Sequence, residues 1–310
     1  MSAGEPIPVT LIGGYLGAGK TTLVNHLLRQ AQGRRLAVLV NEFGALPIDA
    51  DLIEAEGEDL IAIAGGCICC SYGSDLVEAL IAMAKRRPRP DHLLIETSGV
   101  ALPGSVAQSI SLVGGLVLDA IVVIADAETV MERACDRYLA DTIARQLGEA
   151  DIVILNKVDL VPPGRMGEAT RWLAERWPAA RVVPSVRAGV DPQVVLGVGV
   201  PPRGAGVLRL PGHVTAGYVS VAITPGGRVD AGALARALSG EVDGLVRAKG
   251  FVADVGGAVM SLQVVGRRSE VCEARPQVLK DDLFGRIAAI GLAGVMSERE
   301  VERAVARHVC

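Results

Sequence analysis

The chain has 310 residues, half of them hydrophobic, with a formal net charge of −4, and at about 150 residues per domain that length points to two domains. The charge argues against nucleic acid or anionic lipid as a partner, because such binding rests on many phosphate-neutralising Lys and Arg side chains. No apolar run reaches the roughly 18 residues of a membrane span, and Met1-Ser-Ala-Gly-Glu carries neither a basic n-region nor an apolar h-region, so a cytoplasmic location is expected.

In chain order, a strand-like run over 8–12 leads into Gly14–Thr21, which fits G-x-x-x-x-G-K-[ST], and then into a helix over 20–31. Strands follow over 36–40 and 59–63, a helix over 74–86, a strand over 92–96, and a helix over 104–112. A strand over 120–125, a helix over 136–147, a strand over 151–155 and a helix over 165–177 continue the alternation. The class is α/β: a P-loop NTPase domain over 1–186, with a mostly parallel sheet flanked by helices. Ligands in such sheets bind beyond the carboxyl ends of the strands. Residues 187–212 show frequent breakers and no helical period, and read as a linker. Beyond it, a strand over 213–224, a helix over 230–238, strands over 250–255 and 258–265 joined at Gly256-Gly257, and a helix over 297–308 predict a small α+β domain over 213–310.

The chemistry follows the strand ends. In the phosphate loop, glycines let backbone N–H groups turn inward around the phosphates, Lys20 reaches the terminal oxygens, and the Thr21 hydroxyl sits where Mg2+ binds. Glu96, at the mouth of a strand, is available to the Mg2+ shell, and the Gly99 N–H can approach the γ-phosphate; the plainer alternative is a strand end with a helix cap at Thr97 or Ser98. Lys20, Glu96 and Gly99 are thus the candidate catalytic groups. Asn41-Glu42-Phe43-Gly44 also follows a strand and can act as a first switch. No residue declares itself as an arginine finger or a water-positioning Gln, so slow intrinsic turnover is expected.

Asn156-Lys157-Val158-Asp159 follows a buried strand. By itself it is equally a capped turn ahead of Pro162-Pro163, but with a phosphate loop upstream GTP becomes the favoured nucleotide. An Asp carboxylate accepts from the N1–H and N2–H2 edge of guanine, which adenine cannot match. The residues expected to hold the nucleotide are Gly14, Gly17, Ala18, Gly19, Lys20, Thr21, Thr22, Asn156, Lys157, Asp159 and Ser185. Three of the six cysteines, Cys67, Cys69 and Cys70, fall within four positions of a Gly-rich loop, which in a reducing compartment reads as metal-binding or redox-active. Thiolates select Zn2+, Cu+ or Co2+, and three sulfurs leave one tetrahedral position open, which suits transfer of an ion. Buried thiols or a redox pair are the alternative.

Gly14–Thr22, Asn41-Glu42-Phe43-Gly44 with Ile48-Asp49, Gly66–Cys70, Glu96–Gly99 and Asn156–Asp159, in that order, resemble the CobW family of GTPases, relatives of the urease and hydrogenase accessory GTPases that deliver metals. Arg247-Ala-Lys249-Gly250 is similar to the family's C-terminal module. The resemblance implies GTP and Mg2+ as cofactors and metal insertion or trafficking as the function, commonly of zinc and sometimes of cobalt or another ion. It further implies a client such as a metalloenzyme or a cobalamin-pathway complex, and leaves open a nucleotide-dependent homodimer. Many members carry Glu on either side of the Asn-Glu-Phe-Gly loop, where this chain has Val40 and Ala45, and a His-rich stretch, whereas His26, His92, His213 and His308 are isolated. No metal store is therefore expected, and His26 reads as a packed or surface histidine. The competing readings are a small-molecule kinase and a non-catalytic, nucleotide- or redox-responsive regulator.

Overall fold

The structure, a computed structural model, describes residues 5–31, 33–41, 62–65, 74–198, 217–274 and 285–310. The chain divides into two compact units, Met1–Pro192 and Gln193–Cys310.

The first unit is built on a seven-stranded sheet. In chain order its strands are β1 (Ile7–Gly13), β2 (Leu36–Asn41), β3 (Ala62–Gly65), β4 (His92–Glu96), β5 (Leu116–Asp126), β6 (Ile152–Asn156) and β7 (Arg181–Pro184). In space they run β3-β2-β4-β1-β5-β6-β7, and every pairing is parallel. Strands covered on both faces need apolar residues at every position. His92-Leu-Leu-Ile-Glu and Ile152-Val-Ile-Leu-Asn accordingly bury all five residues each. His92 among them is satisfied by a polar neighbour: its Nε2 and Thr10 Oγ1 lie 2.9 Å apart inside the sheet.

Helices α1 (Lys20–Arg29), α2 (Ser74–Lys85), α3 (Pro103–Ser111), α4 (Val130–Arg133), α5 (Ala140–Gly148) and α6 (Pro163–Arg176) cover this sheet. One core gathers Leu11, Leu39, Ile95, Val123 and Val153 from the strands with Leu80, Val106, Ile143 and Leu173 from the helices. The helix expected over 136–147 begins later, at Ala140. Asp136 Oδ1 accepts from the N–H groups of Tyr138 and Leu139 at 2.8 and 3.1 Å, closing a side-chain turn that competes with helix. Strand β7 was not expected, because Arg181–Pro184 is too short to show a period.

The second unit carries β8 (Tyr218–Ile223), β9 (Leu245–Ala253), β10 (Val259–Val265), β11 (Arg268–Glu273) and β12 (Arg286–Leu292) in an antiparallel sheet of order β11-β10-β9-β12-β8. Helices α8 (Ala231–Glu241) and α9 (Glu298–Ala306) supply Leu234, Leu238, Val301 and Val305 to its core. Both helices start on side-chain caps: Asp230 accepts from Ala233 N–H, and Ser297 with Glu300 forms a reciprocal capping box. This is the expected α+β arrangement, with two strands more than the sequence pattern showed. Strand β11 is a largely exposed edge of polar composition, and β12 is rich in Ala and Gly, so neither presents the alternation that marks a strand. The expected linker over 187–212 contains a short helix, α7 (Pro192–Leu196). Arg247, 2% exposed on β9, donates to its last carbonyls, Nε to Val194 O at 2.6 Å and Nη2 to Val195 O at 2.7 Å.

Ile95 lies fully buried at the centre of the parallel sheet. Ile95→Ala should destabilise the first unit by about 2–5 kcal/mol, the cost of lost transfer energy plus a residual cavity. Urea denaturation followed by far-UV circular dichroism checks this, and a loss below about 1 kcal/mol would mean that the strand is not central to the core.

Candidate functional site

The register of the parallel sheet decides which residues meet. Ile12 pairs with Glu96, Gly13 with Val123, and Asp126 with Asn156. The loop after β1, the loop after β4 and the turn after β6 therefore emerge along one edge of the sheet, at the carboxyl ends of its strands.

Gly14, Gly17 and Gly19 have φ of 130°, 75° and 112°, in the region that favours glycine. Two of them are also closely packed. A Cβ on Gly14 would lie 2.2 Å from the Ile124 carbonyl oxygen, and one on Gly19 would lie 2.6 Å from Asn156 Nδ2. Gly19 is the N-cap of α1, whose first turn holds no acidic residue of its own, and the positive end of the helix faces the loop. Lys20 is buried and its Nζ reaches back to Tyr15 O at 3.5 Å. Ala18 is buried, whereas Thr22 is exposed.

Thr21 Oγ1 donates to Glu96 Oε1 at 3.0 Å across 75 residues of sequence. A hydroxyl and a carboxylate held together, with Glu96 only 2% exposed, form a hard-oxygen donor set. This set fits Mg2+ and would not select a soft ion. The loop after Glu96 is tied down from three sides. Thr97 N–H donates to Ile12 O at 2.9 Å, and a Cβ on Gly99 would meet Leu16 at 2.6 Å. Gln146 Nε2, 1% exposed on α5, donates to the Gly99 and Ala101 carbonyls at 3.1 and 2.9 Å. Glu149, just past α5, accepts from Gly104 N–H at 2.7 Å and so completes the start of α3.

Asn156 joins two loops. Its Nδ2 donates to Ala18 O at 2.9 Å and its Oδ1 accepts from Ala188 N–H at 2.8 Å, with 2% of the residue exposed. Lys157 adopts φ 63° and its Nζ lies 2.7 Å from Asp126 Oδ2. Asp159, in the 3-10 turn Val158–Leu160, is exposed. Ser185 is buried just after β7, its Oγ without a hydrogen-bond partner, and its carbonyl accepts from Val158 N–H. The next residues turn through positive φ at Arg187 and Ala188. His26 makes no ligand-like cluster; its Nε2 lies 2.7 Å from Val190 O.

The sequence pattern missed Asp126, Arg133, Gln146, Glu149 and Ala188, whose contributions depend on pairings across 30 or more residues or on backbone groups. Asp126 had one signal, a carboxylate at the end of a predicted strand. Cys67, Cys69, Cys70, Ala45 and the Glu42–Gly44 and Ile48-Asp49 segments lie outside the described residues. Among the described residues no group of three or more His, Cys, Asp or Glu side chains could hold a metal ion, and no helix is long and apolar enough to cross a membrane.

Comparison with known proteins places this geometry in context. The family described as CobW/HypB/UreG, nucleotide-binding domain, matches residues 8–184. The zinc chaperone CobW of Sinorhizobium sp is 30% identical over 96% of this chain and 96% of its own. The zinc chaperone CobW of Pseudomonas aeruginosa is 33% identical over 62% of this chain and 60% of its own. The zinc chaperone YjiA of Escherichia coli is 36% identical over 50% and 51%.

The Asn156 staple generates a test that needs no ligand. Asn156→Ala removes two buried hydrogen bonds and strands the Ala18 carbonyl and the Ala188 N–H, which should cost about 2–4 kcal/mol. Urea denaturation of the nucleotide-free protein measures it, and a cost within error of zero would show that water replaces the staple.

Proposed function

The chain belongs to the CobW/HypB/UreG nucleotide-binding family, and on that footing we propose that it is a Mg2+-dependent GTPase that carries a divalent metal ion to a client protein. The observation that carries the reading is the convergence, at one edge of one sheet, of the glycine loop with Lys20, the Thr21–Glu96 pair and the Asn156–Asp159 turn. Gly14, Gly17, Gly19 and the start of α1 present backbone N–H groups to phosphate oxygens, and Lys20 neutralises their charge. Thr21 and Glu96 would hold Mg2+, which when bound supplies charge neutralisation for phosphoryl transfer to water. The Gly99 N–H, on a loop fixed against Leu16 and Gln146, is offered to the γ-phosphate.

At the other end of the site Asp159 accepts from the guanine edge. Lys157 keeps its aliphatic stem alongside the base while its ammonium pairs with Asp126. Asn156 and Ser185 position the two loops that flank the base.

For the cargo, zinc comes first, because the relatives at 30–36% identity are named zinc chaperones. Cobalt rests on the family resemblance alone. Cys67, Cys69 and Cys70 follow β3 in the chain and supply soft donors, distinct in chemistry from the Mg2+ pair. Delivery goes to a metalloenzyme or a cobalamin-pathway protein.

Asp159→Asn reverses one donor–acceptor demand at the guanine edge, so it should weaken GTP by about 2–4 kcal/mol and improve xanthosine triphosphate. Competition between the two nucleotides measures this; wild-type protein that binds ATP as tightly as GTP would sink the guanine assignment.

The metal arm is tested by linkage. Mg2+ and GTP should tighten the binding of one Zn2+ at Cys67, Cys69 and Cys70 by about 1–3 kcal/mol relative to GDP, and Zn2+ should tighten GTP by the same factor. A competing chelator reads the affinity, and the triple Cys→Ser variant should lose it together with the proton release of thiol ligation. Equal Zn2+ affinity in the two nucleotide states would refute the switch, and retention of Zn2+ by the Cys→Ser variant would refute the thiolate site.

A further inference from the structure

The two ends of the phosphate loop are packed and Leu16 abuts Gly99, but the Gly17 side is open. Gly14 is wedged against Ile124 and Gly19 against Asn156, whereas nothing lies within 4 Å of the position a Cβ would take on Gly17. Leu16 is 57% exposed, and Gly17, with φ 75°, is the residue type least able to hold a peptide plane by itself. The Leu16–Gly17 peptide is the middle of a turn closed by Ala18 N–H to Tyr15 O at 3.2 Å, and an external donor on Leu16 O adds to that turn in keeping the Gly17 N–H aimed at an anion.

Arg133 supplies a grip. It ends the short helix α4, its Nη1 donates to Leu16 O at 3.0 Å, and its guanidinium lies 4.9 Å from the centre of the Tyr15 ring. The helix that carries it is fixed to the sheet: Val130 is buried in the core, Thr129 N–H donates to Asp126 O, and Ala127 N–H donates to Asn156 O. Stacking on Tyr15 orients the fork, and a guanidinium bond to a carbonyl is stronger than a neutral one.

In a trans peptide the C=O of one residue and the N–H of the next point in opposite directions. A donor on Leu16 O thus turns Gly17 N–H away from Arg133. Asn156 does the same two residues on, holding Ala18 O so that Gly19 N–H points the other way. We propose that Arg133 is a positioning residue for nucleotide binding, fixing the Leu16–Gly17 peptide so that Gly17 N–H faces the phosphates. This inference rests on the guanine-nucleotide reading above. Because the grip acts on the loop and not on the transferred group, it serves GDP and GTP alike and contributes equally to the bound substrate and the transition state.

The test measures dissociation constants for fluorescent GDP and for a non-hydrolysable GTP analogue, with kcat and KM for GTP, in wild type, Arg133→Ala and Arg133→Lys. Arg133→Ala should weaken both nucleotides by the same factor, about tenfold for the loss of one charge-assisted bond, and should raise KM while leaving kcat at saturation unchanged. Arg133→Lys, which keeps a charged donor without the planar fork, should recover part of the loss. The nucleotide-free melting temperature should not move; if it falls, Arg133→Gln, which keeps a donor and most of the stem, carries the same comparison. Unchanged affinity in a folded variant overturns the proposal. So does a loss confined to the triphosphate or to kcat, which would put the guanidinium on the γ-phosphate itself. Failure of the nucleotide reading looks different, because wild type would then bind neither guanine nucleotide.

Discussion

One buried amide holds the nucleotide end of this protein together. Asn156 reaches from the end of β6 to the carbonyl of Ala18 in the phosphate loop with one arm and to the N–H of Ala188 with the other. The side chain is almost completely buried, so both bonds form where water cannot compete, and each is costly to leave unmade. The consequence is a fixed spacing between the glycine loop after β1 and the loops that follow β6 and β7. Asp159, three residues on, inherits that spacing because it leaves the same strand end through a left-handed Lys157. A left-handed backbone at a non-glycine residue persists only where the surroundings over-determine it, and here the Asp126 carboxylate takes the lysine ammonium.

The loops of the site are gripped by side chains from helices that make no direct use of a ligand. Gln146 holds the Gly99 and Ala101 carbonyls of the loop after β4, Glu149 completes the first turn of α3, and Arg133 takes the carbonyl of Leu16. Gln146 and Arg133 donate to backbone carbonyl oxygens and so shape the loops through their backbone. A nucleotide that reorders the Gly99 segment must therefore act against Gln146, which makes α5 the element best placed to sense the state of that loop.

Two chemically different donor sets are separated along the chain. Thr21 and Glu96 are hard oxygen donors brought together by the Ile12–Glu96 register, and the three clustered cysteines are soft donors that follow β3. Hard oxygen donors favour ions such as magnesium and soft thiolates favour ions such as zinc, so the two sets differ in chemistry before any geometry is considered.

The sequence by itself determined the α/β architecture, the phosphate loop and most strands of the first unit, because buried parallel strands are continuous apolar runs and the loop needs glycines at set spacings. It also showed the two helices of the second unit, over 230–238 and 297–308, whose starts the structure caps at Asp230 and at Ser297 with Glu300. Strands β7, β11 and β12 were illegible, being too short, too polar or too rich in Ala and Gly to display alternation. The start of α5 was displaced by Asp136, whose turn competes with helix locally. Only the tertiary structure decided what Asn156, Asp126, Arg133 and Gln146 do, because each acts on a partner distant in sequence and, except for Asp126 with Lys157, chiefly on backbone atoms. A backbone carbonyl is present at every residue, so its choice as a partner leaves no mark on the sequence; it is fixed by strand register and helix packing, which exist only once the chain has folded.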